Sequence, residues 1–147
     1  MKITEALLAE HVVFHNLFDY IERTLPQLRS LAEVRTLAAL LHALLEIHSR
    51  VEDQLLIDPL EPSFCQMGQE RNFHAEHHEI ETHLGHAQTA RKVAEAKRCL
   101  LRAVLVSRKH FDKEERIVFP LAEKQLSAKS LVHLGRRWAE QRSAADL

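Results

Sequence analysis

Twice along this chain a lone histidine is followed, further on, by the pattern His-x-x-x-Glu. His11 precedes His48 and Glu52, and His77 precedes His110 and Glu114. In a helix, residues four apart project from one face a turn apart, so each pair offers an imidazole and a carboxylate in the same direction. The lone histidines also share a context, Ala9-Glu10-His11-x-x-Phe14 and Ala75-Glu76-His77-x-x-Ile80. Four helices that each direct nitrogen or oxygen ligands at one interior are the raw material of a dinuclear metal site. The competing readings are a solvated ion pair for either His/Glu couple alone, or a metal-free network of six mutually bonded groups.

The elements that must carry these residues follow from apolar periodicity. Leu7, His11, Phe14, Phe18, Ile21 and Leu25 form one stripe of a helix over about residues 3–25, started by Lys2 or Thr4. A second helix over about 28–57 presents Leu37, Leu41, Leu44, His48, Glu52 and Leu55. Asp58-Pro59 and Glu61-Pro62-Ser63 read as its end, with Ser63 capping the next helix. A third, over about 64–87, turns Phe73, His77, Ile80 and Leu84 inward. A fourth, over about 92–119, presents Ala96, Leu100, Ala103, Ser107, His110, Glu114 and Ile117, and Pro120 ends or kinks it. Ser127 caps a short extra helix to about residue 141, carrying Leu131, Leu134 and Trp138.

This predicts an all-α chain: a single domain over residues 1–147, with an antiparallel up-down four-helix bundle (core 3–121) and a C-terminal helix at about 127–141. In that bundle the starts of helices 1 and 3 share a level with the ends of helices 2 and 4. His48 and His110 lie eleven and ten residues before Pro59 and Pro120, so all six candidates fall in one layer. A buried ionised glutamate is costly unless paired or metal-bound. Imidazole and carboxylate without thiolate suit iron, manganese or zinc. Two metals bridged by Glu52 and Glu114, each capped by two histidines, leave a position for water, hydroxide or a diatomic molecule. The residues do not fix which histidines share a metal; division by neighbouring helices is the expectation.

Composition narrows the function classes. Basic and acidic residues balance, 20 against 21, which gives no electrostatic footprint for nucleic acid or an anionic membrane. No apolar run is long enough to span a bilayer and the amino terminus lacks a signal-peptide pattern, so a cytoplasmic protein is expected. Cys65 and Cys99 make no disulfide framework; at ~1.5 Å per residue they fall roughly 30 Å apart in the expected bundle and stay reduced. Of 11 histidines, four are taken as ligands. His74 is an alternative ligand or a boundary residue, and His15 either supports the site or is simply half-buried. His42, His78, His83, His86 and His133 read as surface residues. Ser107 either bonds near the metals or packs. Trp138 covers one end of the bundle, or marks a homodimer contact.

The ordered spacing H…HxxxE…H…HxxxE, with Glu52-Asp53 and Glu114-Glu115 each followed by apolar residues and a proline, resembles the hemerythrin-like family, the HHE cation-binding domains. The resemblance covers about residues 5–121. It implies a non-haem di-iron centre, bridged by carboxylates and often by an oxo or hydroxo group, with His11, His48, Glu52, His77, His110 and Glu114 as ligands. The oxygen-carrying members have a further histidine one turn before the third-helix ligand, where this chain has Phe73, and a longer spacing in the last helix than His110-x-x-x-Glu114. Those departures are more similar to members acting in stress response and iron handling. The expectation is a metal-binding protein, rather than a dedicated enzyme, that binds, senses or reacts with dioxygen, peroxide or nitric oxide. The alternatives are a di-iron oxidase or peroxidase, and a metal-free helical interaction module.

Overall fold

The structure is a computed structural model that describes residues 1–67 and 72–143. Among the described residues all regular structure is helical. Helix α1 (Ile3–Thr24) starts where the Glu5 carboxylate accepts the Lys2 backbone N–H at 2.8 Å, and tightens into a 3₁₀ turn at Leu25–Gln27 that contains Pro26. Helix α2 (Leu31–Glu52) begins at a reciprocal cap: Ser30 Oγ accepts the Glu33 N–H, and the Glu33 carboxylate accepts the Ser30 N–H. This Ser-x-x-Glu signal sets the start three residues later than the periodicity suggests.

The largest correction lies at the prolines. The chain does not stop before Pro59 but passes through a π turn, Asp53–Ile57, into α3 (Asp58–Met67), which contains Pro62. Ser63 therefore lies inside a helix and caps none. After α4 (Asn72–Thr89) and α5 (Val93–Lys113) the same device recurs. A π turn at Glu114–Val118 leads past Pro120 into α6 (Phe119–Gln125). In each case the residue before the proline donates its N–H five residues back, Asp58 to Asp53 O and Phe119 to Glu114 O. A proline ring normally collides with the carbonyl four residues earlier. Those carbonyls, of Leu55 and Arg116, sit inside the widened turns, so the helix tolerates the ring. The first half has one more residue between glutamate and proline than the second. The π turn keeps its place relative to the proline, and Glu52 falls one residue ahead of it. Residues 64–67, expected at the start of the third helix, belong to α3. The last helix, α7 (Ala128–Ser143), runs slightly longer than expected, with Ser127 Oγ accepting the Ser130 N–H at its start.

Helix α4 packs chiefly on α5 and α2, while α1 packs chiefly on α7. The α1 stripe is buried as read, whereas on α2 the buried apolar residues are Val34, Ala38, Leu41, Leu45 and Val51, alongside His48 and Glu52; Leu44 is exposed. Apolar burial forms two clusters. One holds Phe14, Phe18, Leu41, Leu84, Leu100 and Phe111 with their neighbours; the other holds Leu7, Leu55, Phe64, Phe73, Phe119 and Leu131 with theirs. On α1, α2, α4 and α5 the candidate ligands fall in sequence between residues of the two clusters. Gly135 on α7 is required by close approach: a Cβ there would lie 2.3 Å from the Met1 carbonyl oxygen.

Candidate metal centre

All six predicted residues meet in the layer between the two apolar clusters. His11, Glu52 and Glu114 have no solvent exposure, and His48, His77 and His110 have at most a few per cent. They form two groups of four whose donor atoms lie within 4.8 Å of one another: His11, His48, Glu52 and Glu114, and His77, His110, Glu52 and Glu114. The glutamates are common to both groups. The histidines therefore divide as α1 with α2 and α4 with α5.

The sequence did not reveal what holds the imidazoles. His48 Nδ1 lies 2.6 Å from Glu10 Oε2, His110 Nδ1 2.7 Å from Glu76 Oε2, and His11 Nδ1 2.9 Å from Glu115 Oε1. His77 Nδ1 faces Asp53 Oδ1 at a longer 3.3 Å. A carboxylate accepts, so Nδ1 of His48, His110 and His11 carries a proton, and the Nε2 atoms face the layer, where each would offer its lone pair to an ion. The signal was present as a repeat. Each lone histidine follows a glutamate, Glu10 or Glu76, and each HxxxE glutamate precedes an acid, Asp53 or Glu115. What sequence could not supply is the register across helices that sends Glu10 to His48 and Glu115 to His11.

Two further features shape the walls. The His11 ring stacks on Phe111 at 3.9 Å, and Phe14 meets His48 edge-on at 5.2 Å. Phe73 packs on Phe64 at 5.0 Å, near His110, and brings no donor atom. Surface cavities reach two of the histidines: one of about 290 Å³ touches His110 beside Glu76 and Lys109, and one of about 350 Å³ touches His77 beside Asp53.

The remaining candidates lie outside the layer. His74 is more than half exposed, 3.5 Å from Asp53. His15 bonds Arg108 at 3.2 Å and approaches Glu115 at 3.8 Å, one step beyond the residue that holds His11. Ser107 Oγ donates to Ala103 O on its own helix, which makes it a packing residue. His42 is not a free surface group but bonds Gln88 at 2.8 Å, whereas His78, His86 and His133 are exposed. Cys65 and Cys99 are free thiols.

The electrostatics of the layer are those of a site made for positive charge. Burial, with repulsion from Glu114, pushes the Glu52 carboxyl up. Burial also works against ionised Glu114, but His110, His11 and His77 hold it well below the usual carboxylate range. Burial disfavours charged imidazoles, yet Asp53, Glu114 and Glu52 push His77 up to about 12, and Glu114 with Glu76 pushes His110 up to about 9. Protons on imidazoles thus balance the buried carboxylates when no ion does.

Those protons still leave a deficit. The Nε2 atoms of all four histidines and both oxygens of Glu52 and Glu114 are buried without a well-directed hydrogen bond, although His110 Nε2 lies 2.6 Å from Glu114 Oε1. Orphaned buried polar atoms are rare, and here eight converge on one layer. A pair of cations coordinated by nitrogen and oxygen would satisfy them, and the donor set fits such ions. No helix among the described residues is long and apolar enough to cross a membrane. Residues 2–122 match a family model described as the hemerythrin HHE cation binding domain. Neither the curated proteins nor the solved structures compared with the chain gave a match. A family match over most of the length, centred on these histidine and glutamate clusters, gives the conclusion that the chain belongs to the hemerythrin HHE cation-binding domain family.

Proposed function

We propose that the chain holds two iron ions in this layer and uses them to bind, sense or react with a small ligand such as dioxygen, peroxide or nitric oxide, in stress response or iron handling. His11 and His48 would serve one ion, His77 and His110 the other, with Glu52 and Glu114 bridging. The observation that carries the reading is the convergence of the eight orphaned donor atoms. A donor set without thiolate supports iron over structural zinc or copper(I). The paired positions of early histidines on α1 and α4 against late ones on α2 and α5 support the antiparallel four-helix arrangement.

Iron held by such donors supplies a redox-active Lewis acid able to accept a small exogenous ligand. The protein's part is positional. Glu10, Glu76 and Glu115 fix the proton on Nδ1 of His48, His110 and His11, which holds each ring in place and raises the donor strength of Nε2. Phe14, Phe111 and Phe119 line the His11 and His48 side and exclude bulk water there. His110 and His77, which border surface cavities, mark the side from which a small molecule reaches the layer.

The test is elemental analysis of freshly purified protein, with optical spectra before and after dithionite and again in air. About two irons per chain, with near-ultraviolet absorption that bleaches and returns, is the expected result. Stoichiometric zinc, or folded protein without metal, would overturn it, the latter in favour of an interaction module.

A further inference from the structure

His48 and His110 are held alike, each by a glutamate from a neighbouring helix, but what lies behind those glutamates differs. Glu76, which holds His110, is braced by Lys113 Nζ at 2.9 Å, a residue of the same helix as His110. Glu10, which holds His48, is braced from α7. Trp138 Nε1–H donates to Glu10 Oε1 at 3.0 Å, Arg142 Nε donates to the same oxygen at 2.7 Å, and Arg142 Nη2 also contacts it. The other oxygen of Glu10 accepts from His48 at 2.6 Å. Helix α7 lies wholly beyond residue 122, where the family match ends.

Several features hold α7 against α1. Gly135 permits contact with the backbone at the start of the chain, Leu131 is buried in the second apolar cluster, and the Arg142 guanidinium lies 5.9 Å from the Trp138 ring. An indole N–H and a guanidinium converge on one carboxylate oxygen, and all three side chains are half-buried. The arrangement fixes Glu10, and Glu10 fixes a ligand imidazole.

We infer that α7 is a clamp added to the family domain, in which Trp138 and Arg142 act through Glu10 as positioning residues for His48 and so tune the His11/His48 half of the metal centre separately from the His77/His110 half. The inference rests on the proposal that the layer binds two ions. It makes the half-sites unequal, so they fill in two steps. Loosening a residue that orients a metal-ligating histidine costs about 10–100-fold in metal affinity, and only one step should show that loss.

The experiment is anaerobic titration of the metal-free full chain with ferrous iron against a competing chelator. It compares the wild type with Trp138→Phe, Arg142→Gln, Arg142→Lys and Glu10→Gln, with circular dichroism confirming the fold. Trp138 is the only tryptophan in the chain, so its fluorescence reports filling of the adjacent half-site in every variant that keeps it. The expected result is one binding step weakened roughly 10–100-fold in Trp138→Phe and Arg142→Gln, the other unchanged, and partial recovery in Arg142→Lys. In a Glu10→Gln background the Trp138→Phe effect should vanish, which a purely packing role for the indole would not produce. Two ions bound by folded variants with both steps unchanged, or both weakened equally, would overturn the clamp. Wild-type protein that takes up no iron would instead overturn the proposed function.

Discussion

Replacing Glu52 and Glu114 together by Gln is the sharpest perturbation of the metal centre. Both carboxylates are fully buried, and all four of their oxygens lack a well-directed hydrogen bond. Glutamine keeps the size and removes the charge, so the apolar packing on either side stays intact. An ion present at a hundredfold its dissociation constant stabilises the fold by about 2.7 kcal/mol per site, hence about 5 kcal/mol for two. In a domain near this length 1 kcal/mol moves the melting temperature by about 3 °C, which places metal-loaded wild type about 15 °C above its chelated form. Calorimetric melts of both proteins, loaded and chelated, with metal analysis of each sample, are the assay. The double variant should lose the metal-dependent rise while its helices still form. A double variant that keeps two tightly bound ions and the full rise would refute the assignment of these carboxylates. One that fails to fold even without metal would show that they serve the fold through the imidazoles instead.

Other outcomes follow from the same geometry. His77 and His110 hold protons with values raised above their ordinary 6.5, to about 12 and about 9. Their contribution to the metal-free fold is therefore complete below about pH 6.5 and drains away as pH climbs through 9 toward 12; melts of chelated protein should fall over that range. Because metal must displace those protons, loading at pH 7 in weak buffer should release protons, measured with an indicator dye; no release would contradict the charge balance described. Gly135→Ala places a methyl 2.3 Å from the Met1 carbonyl oxygen and should cost about 1–3 kcal/mol in denaturant melts. Ser30→Ala removes the α2 cap, far from the layer, and should cost about 1 kcal/mol with metal stoichiometry unchanged.

The histidine–glutamate layer was legible because it violates the pattern around it. Polar residues on apolar stripes, repeated with the same spacing and at the same depth, have few explanations. The prolines misled for an instructive reason. Asp58-Pro59 and Pro120 carry the chemistry of helix ends, and only a turn with wider hydrogen bonding lets the chain continue past them, a choice made by packing rather than by local preference. Leu44 misled differently: it lies one turn before His48, but Leu45 is the residue that turns inward, and Leu44 borders a surface groove with Val13, Phe14 and Leu17. Trp138 looked like a cover for apolar surface, and it is one. Its partner Glu10 lies 128 residues away, a contact that no periodicity encodes.

The two apolar clusters have a consequence of their own. The polar layer cuts the oily interior in two, and α1, α2 with its π turn, and the continuous run from α5 into α6 all cross the cut, as does α4. Each half can open without the other once the joint between them is weak, so the unit of unfolding is set by what sits in the joint. With ions bound, the amides on both sides should exchange with solvent as one block. Stripped of metal, the halves become separate melting bodies, and a protease finds the looser one first. Metal supply would then govern how long a copy of this chain survives.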